Sequence, residues 1–315
     1  MNRFRISWVI IAILVLSLNV FAAPDGKNFL WKAEKGEHTV FLAGSIHAGD
    51  ESMYPLPDVF WKSLNESDAV AVEADIYAET EGLSKMDSQI DSELTSTLIS
   101  LMGKMFYAEG DSLQNHLTQE TYKQLKAFFN NFDEDSSPFG SLMLGFGISK
   151  LKPGILALIV EAFALQQTNL QPELGIDFAF LKQAHHREQP VIELEGIKEQ
   201  LTLFLNMSDK SAEYILNDSI KRMDDNEKEF KQLVNLWING DDKKMLKLIN
   251  DADAIGYKEF RQEFLISRNK TMFSGCIDSL SSYPTLFVVV GAAHLIGDEG
   301  LVYMFRNKGF KITRL

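Results

Sequence analysis

The chain has 315 residues, with 31 Lys and Arg against 44 Asp and Glu, a formal net charge of −13, 45% hydrophobic residues and a single cysteine, Cys276. An acidic balance of that size argues against nucleic acid or an anionic lipid surface as the main partner. One cysteine excludes an intramolecular disulfide and a Cys-rich metal site, so stability has to come from packing, which this length can supply.

The first residues, 1–22, read as an export signal. Arg3 and Arg5 make a basic start, Trp8 to Val20 is almost wholly apolar, and "VFAA" offers small residues to a signal peptidase. Cleavage is expected between Ala22 and Ala23, because a cut one residue later puts Phe21 at the −3 position and Pro24 just after the bond. The mature chain would then span residues 23–315, and losing the two arginines would take its charge from −13 to −15. With no lipid-acceptor Cys beside the cut, a soluble periplasmic or secreted bacterial protein is expected, without a stable membrane span. An uncleaved N-terminal anchor is the alternative, although the apolar core is short for a span of roughly 20 residues.

Next, "FLWKAEKGEHTVFLA" from Phe29 to Ala43 reads as two strands about a turn at Lys35-Gly36-Glu37. Asp68 to Glu73 is a third strand, too short for a free helix. Helical spacing then takes over. Leu113 to Phe132 is apolar at three- and four-residue intervals, with Thr118 placed to cap a helix and Glu120 in its first turn. Ile155 to Leu165 follows Pro153-Gly154 and is apolar nearly all round, a buried helix because about 11 residues cannot cross a bilayer. Leu174 to His185, Ser211 to Asn239 and Asp241 to Met272 are further helical stretches. Gln189 to Glu195, Thr285 to Val290 and Gly309 to Leu315 supply a fourth, fifth and sixth strand. Strands at both ends with helices between them predict an α/β fold, a central mixed sheet with helices on its faces. Residues 78–172 hold much helix and little strand and make a possible helical insertion or cap, but no linker sets them apart as a second domain.

One phrase occurs twice. "TVFLAGSIHAGDES" begins at Thr39 and "TLFVVVGAAHLIGDEG" at Thr285; each is an apolar run, then Gly-x-x-His, then Gly-Asp-Glu, with His47 and His294 247 positions apart. Each His falls just past a strand end. Gly44 and Gly291, three positions earlier, are expected to let the backbone turn without a Cβ clash. Ligands of open α/β sheets bind beyond the carboxyl ends of the strands, so neighbouring copies would aim both imidazoles into one crevice. Glu73 and Glu195 close two other strands in the same way. Two imidazoles and two carboxylates are the donors of hydrolytic sites for Zn, Mn, Fe or Co, where an ion acidifies water and polarises a carbonyl. The alternative is an internal duplication that only preserves a turn.

Read in order, "LWKAEKGEHTVFLAGSIHAGDESMYPLP", "AVAVEADI", "ELGIDFAFLKQAHHREQPVIELEGIKEQL", "SRNKTM" and "VVVGAAHLIGDEGLVYMFRNKGFKITRL" resemble the TraB/GumN family, which is related to the Tiki proteins and more remotely to erythromycin esterases. The match spans nearly the whole mature chain, with Ala78 to Leu151 fitting only loosely. The resemblance implies a metal-dependent hydrolase, metalloprotease-like and favouring Mn or Co, that acts on a peptide or small-molecule substrate. It carries over to His47, Glu73 and His294 as metal ligands, with Glu73 as a ligand or general base. Arg268 and Asn269 match the family's Arg-Asn pair, for holding a substrate carboxylate or a developing oxyanion. A non-catalytic binder that sequesters a peptide signal is the alternative. Plainer roles are also open: Arg268 pairing with Glu263 or another acid, Asp177 capping or orienting, and Glu195 fixing a His tautomer. His185-His186 is expected on a solvated face and Cys276 in the core, while His38 and His116 have no constellation around them.

Overall fold

The structure, a computed structural model, describes residues 28–84, 100–130, 147–168, 170–222, 226–250 and 253–315; the expected export signal lies outside them. Six strands, β1 (Leu30–Lys35), β2 (His38–Ser45), β3 (Ala69–Val72), β4 (Val191–Glu193), β5 (Thr285–Gly291) and β6 (Lys311–Arg314), form one sheet in the order β4-β3-β5-β2-β1-β6. β4, β3, β5 and β2 are mutually parallel, and β1 runs antiparallel to β2 and β6. All six expected strands are present and the sheet is mixed, as the α/β reading requires. β3 is buried along its whole length and β2 and β5 nearly so, the pattern of parallel strands covered on both faces. β6, at one edge, carries Lys311 and Arg314, charges that blunt an edge against further pairing.

The helices that frame the sheet and the site are α1 (Asp58–Asn65), α2 (Ile76–Ser84), α3 (Gln119–Asn130), α4 (Pro153–Gln166), α5 (Ile176–His186), α6 (Ile197–Leu205), α7 (Asp209–Arg222), α8 (Asn226–Ile238), α9 (Asp242–Ile249), α10 (Tyr257–Arg261), α11 (Ser267–Ser279), α12 (Ala292–Leu295) and α13 (Leu301–Asn307). Thr118 does cap α3, its Oγ1 accepting from Thr121 N at 3.3 Å. Leu113–Asn115, expected inside that helix, is a separate 3-10 turn. The stretch expected from Asp241 to Met272 is interrupted. At Gly256, φ is +85° and a Cβ would meet Lys210 O at 2.0 Å, so α10 starts pressed against α7 at a site only glycine can occupy. Between α10 and α11 lies a π-helical turn, Gln262–Ile266. No helix among the described residues is long and apolar enough to cross a membrane.

Two hydrophobic cores result. The larger packs the sheet against α1, α5, α8, α11 and α13. At its centre Phe60 lies 5.9 Å from Trp237 and 5.8 Å from Phe180, which meets Phe287 of β5 at 5.0 Å. Each fully buried Phe contributes about 1.5–3 kcal/mol from area alone. The second core lies among α3, α4, α6, α7 and α10, with Leu113, Leu125, Leu156 and Leu216 fully buried. It therefore combines helices from within residues 78–172 with helices that follow β4.

Candidate functional site

Because β2, β3, β4 and β5 are parallel, their carboxyl ends share one edge. In register, Ser45 pairs with Gly291, so the two Gly-x-x-His copies lie on adjacent strands. His47 stands just past β2. Ile46 O accepts from Ile176 N at 2.9 Å, and at Gly175 a Cβ would come within 2.6 Å of His47 O. That close approach seats the start of α5 beside the histidine and brings Asp177, in its first turn, to 2.5 Å from His47 Nδ1. On the other side, Trp237 Nε1 donates to Gly44 O at 2.9 Å and fixes the end of β2.

Glu73 follows β3, and its backbone oxygen accepts from Glu195 N and Gly196 N at 3.1 and 2.9 Å. This extends the β3–β4 pairing past the strand ends and sets Glu195 beside Glu73. Glu73 Oε1 takes the Gly291 N–H at 2.7 Å, and Oε2 takes Arg268 Nη2 at 2.5 Å. Arg268 also donates to Glu195, from Nη2 at 2.7 Å and from Nε at 3.0 Å to the other oxygen. Its partners are thus Glu73 and Glu195 rather than Glu263, and with Nη1 reaching Phe264 O, one of its five N–H donors remains. Directly after the π turn, a feature that often marks functional sites, Arg268 and Asn269 open α11.

Glu195, expected to fix a His tautomer, holds Arg268 instead. The tautomers are fixed by Asp177 and Asn269. Asn269 Oδ1 lies 2.6 Å from His294 Nδ1, while its Nδ2 donates to Glu299 O at 2.7 Å. The second bond orients the amide, so His294 Nδ1 must be the donor and Nε2 carries the lone pair. At His47, Asp177 likewise accepts from Nδ1. Both Nε2 atoms face Glu73 Oε1, at 4.0 Å from His47 and 3.9 Å from His294. The glycines serve here in another way than expected. Gly291 has φ −49° and ψ 135°, which any residue adopts, but a Cβ would lie 3.1 Å from His47 Nε2 and 3.5 Å from Glu73 Oε1. Gly44 gives clearance in the same way, to Phe29 and Ala292.

Burial pushes the His47 pKa down, yet Asp177, through charge and hydrogen bond, and then Glu73 override it and raise it to about 8. His294 has a neutral amide in place of a carboxylate, so burial and then Arg268 take it down to about 3. For Glu73 burial favours the neutral acid, but Arg268, the two histidines and the Gly291 N–H hold its carboxyl far below the usual range.

The chemistry of this donor set fits a divalent ion. Two imidazoles face one carboxylate, that of His294 with its Nε2 lone pair free, and around them stand Glu73, Glu195 and Asp177 with the Arg268 guanidinium. The spacing is wider than a coordination sphere, since donors about 2.1 Å from a tetrahedral ion stand roughly 3.4 Å apart. Among the described residues no group of three His, Cys, Asp or Glu is close enough to hold a metal.

The site forms the floor of a cavity of about 1440 Å³ between the two cores, with Leu158, Phe204, Ile215, Leu233 and Met245 in its walls. Gln200, which the sequence reading missed, also lines it and donates from Nε2 to Glu73 Oε2 and Glu195 Oε2 at 3.4 and 3.3 Å. Its sequence signal is a polar residue on the buried face of α6, beside Leu201 and Leu205. Cys276 is in the core, where burial pushes its thiol up to about 12.

Two histidines depart from expectation away from the cavity. His185 is not merely solvated: its Nε2 lies 2.7 Å from Asp75 Oδ2 and its ring packs against Tyr77. His116 does have a constellation, with Asp111 and Asp209 on its two ring nitrogens and Tyr107 stacked at 4.4 Å.

The TraB/PrgY/gumN family model matches residues 29–314. A protein of Escherichia coli strain K12 and one of Shigella flexneri, each described as the uncharacterized protein YbaP, are 25% identical over 294 residues, covering 91% of this chain and 97% of theirs. No solved structure matches.

Proposed function

The chain belongs to the TraB/PrgY/gumN family, and from that membership and the floor of its cavity we propose a metal-dependent hydrolase that cleaves a peptide or amide bond. One observation carries the reading: two imidazole Nε2 atoms from opposite ends of the chain lie within 4.0 Å of a single carboxylate oxygen, each with its Nδ1 held by an acceptor. His47, His294 and Glu73 would hold the ion, Mn, Co or Zn. When bound it supplies Lewis acidity, which polarises a carbonyl and acidifies water. Arg268 keeps Glu73 ionised, so of the two roles considered for Glu73 the electrostatics favour ligand over general base. Asp177 and Asn269 orient the imidazoles, a function that usually protects metal affinity by one to two orders of magnitude. The remaining N–H of Arg268 is available to a substrate oxygen. A cavity larger than the roughly 300–1,000 Å³ of common small-molecule pockets suits a peptide segment.

Metal analysis of the wild type beside His47→Ala/His294→Ala, followed by peptide-library cleavage with each ion, tests this. Bound metal and cleavage in the wild type alone are expected. No metal above background, together with unchanged ligand binding in the double variant, removes the basis of the proposal.

A second reading, a binder that sequesters a peptide without cutting it, is favoured by one feature: both Glu73 oxygens are already hydrogen-bonded. Peptide recovered intact after prolonged incubation with Mn would select it.

A further inference from the structure

A file of aromatic rings leads away from the cavity floor. Phe204 and Phe264 meet edge to face at 5.0 Å, Phe264 stacks on Phe260 at 5.0 Å, Phe260 meets Tyr214 at 5.0 Å and Tyr214 meets Tyr257 at 5.5 Å. All five line the cavity. Its foot is tied to the candidate site from two helices. On α6, Phe204 follows Gln200 by four residues, so the two share a face about 6 Å apart along the axis, and Gln200 Nε2 donates to Glu73 and Glu195. From the other side, Phe264 O accepts at 3.4 Å from Nη1 of Arg268, whose guanidinium spans the same two carboxylates. Phe264, Tyr214 and Tyr257 are buried in the second core, whereas Phe204 and Phe260 pack against it and stay half-buried. Core packing accounts for the first three; it does not call for rings left partly bare in a cavity wall. Two close approaches hold the file in place. A Cβ at Gly154 would meet Phe204 O at 1.9 Å, and one at Gly256 would meet Lys210 O at 2.0 Å and Tyr214 Cβ at 3.1 Å. α4 is thus pressed onto the backbone of Phe204, and α10, which carries Tyr257 and Phe260, onto α7. Rings pre-set in this way spare a ligand the cost of ordering them.

Bare aromatic surface in a concave site is covered favourably by an apolar group of the ligand, and an aromatic group adds edge-to-face or offset contacts to the area it buries. We infer that Phe204 and Phe260, backed by Phe264, form a specificity pocket for a bulky apolar side chain, an aromatic one above all, on the substrate residue beside the peptide bond held over Glu73. The spacing selects that residue. Neighbouring Cα atoms of a peptide are about 3.8 Å apart, and the rings begin one helical turn from the groups that hold Glu73, so the side chain they receive adjoins the bond on the floor. The inference rests on the proposal that the cavity takes a peptide, and holds whether or not that peptide is cut.

The test uses the full chain with Mn, in wild-type, Phe204→Leu and Phe260→Leu forms. Each substitution removes a ring but keeps an apolar side chain, and thermal melting checks that the fold survives. The probes are end-blocked hexapeptides of Ala and Ser that carry a single Phe at successive positions, the same set with Leu, and the parent without either. Kd is read by titration calorimetry and any cut bond by mass spectrometry. With wild type, Phe at the favoured position should bind roughly ten- to a hundredfold tighter than the parent and about three- to tenfold tighter than Leu, and a cut should fall beside it. Each variant should bind the Phe and Leu peptides alike. Rings with a purely structural role would leave the preference for Phe intact. Peptides cut by wild type without regard to where Phe stands, or a Phe preference that survives in both variants, would overturn the inference and leave the hydrolase reading standing. Phe-dependent binding that the variants lose, with every peptide recovered intact, would uphold the pocket and remove the hydrolase reading. No peptide bound or cut by wild type would overturn both.

Discussion

Arg268→Met removes the guanidinium that bridges Glu73 and Glu195 without changing the bulk of the side chain greatly. The Arg268 side chain is 16% exposed, and those of Glu73 and Glu195 only 6% and 8%. Deleting one partner of a buried ion pair costs about 3–5 kcal/mol, because the other is left uncompensated, and here two carboxylates are left together. At roughly 2–4 °C per kcal/mol for a large domain, the melting temperature should fall by about 6–20 °C near pH 7. The pH dependence is more telling than the size. In the wild type Glu73 titrates below its ordinary value of 4.5, so its contribution is present above that value and fades as pH falls through the folded pKa. In the variant two buried carboxylates without a cation push at least one pKa above 4.5; that group favours folding below 4.5 and loses its contribution as pH rises. Thermal unfolding followed from about pH 3 to pH 8 should show the variant's stability changing less favourably with rising pH than the wild type's, most clearly below about pH 5. Adding Glu195→Gln should recover part of the loss. A variant that loses under about 1 kcal/mol and keeps the wild-type slope would refute the view that this arginine sustains ionised Glu73.

Two further substitutions separate clearance from stability. Gly291→Ala places a methyl 3.1 Å from His47 Nε2 on a backbone that accepts it; unfolding free energy should move by less than about 1 kcal/mol while Mn affinity drops at least about tenfold, and unchanged affinity by titration calorimetry would show that the glycine is not there to clear the imidazole. Trp237→Phe leaves Gly44 O without its 2.9 Å donor; urea unfolding should show a loss of about 1–3 kcal/mol at unchanged m, and a wild-type midpoint would count against any role of that bond in holding the end of β2.

The strands were legible because each is a short apolar run closed by a turn residue, and parallel burial makes such runs nearly continuous. Helix breaks were less so. The pattern from Asp241 to Met272 carries through Gly256, and only the approach of Lys210 O, more than 40 residues upstream in sequence, shows why the chain must part there. At the site, residues at strand ends could be read because a strand end in an α/β sheet has a known direction. Residues on helices could not, since whether a polar side chain on an amphipathic helix faces water or a cavity depends on what packs against it. Gln200 shares a face with Leu201 and Leu205, and Asn269 one with Met272 and Cys276; a polar residue among core positions is a signal, but it names no partner.

The doubled phrase ends as two different devices. The strand of each copy delivers an imidazole toward Glu73, but the glycines clear different neighbours, Gly44 the ring of Phe29 and Ala292, and Gly291 the His47 ring and Glu73. The segments after the two histidines diverge, and so do the groups that support the rings. After His47, Asp50 caps its own turn by accepting from Ser52 N at 2.8 Å and Gly49 bridges to Gln171; after His294, the Glu299 carbonyl orients Asn269. A carboxylate therefore holds one Nδ1 and a neutral amide the other, and two rings in near-identical local sequence acquire opposite proton affinities, His47 up to about 8 and His294 down to about 3. At physiological pH His294 is therefore neutral, its Nδ1 donating to Asn269, while the charges of Asp177 and Glu73 favour the protonated form of His47.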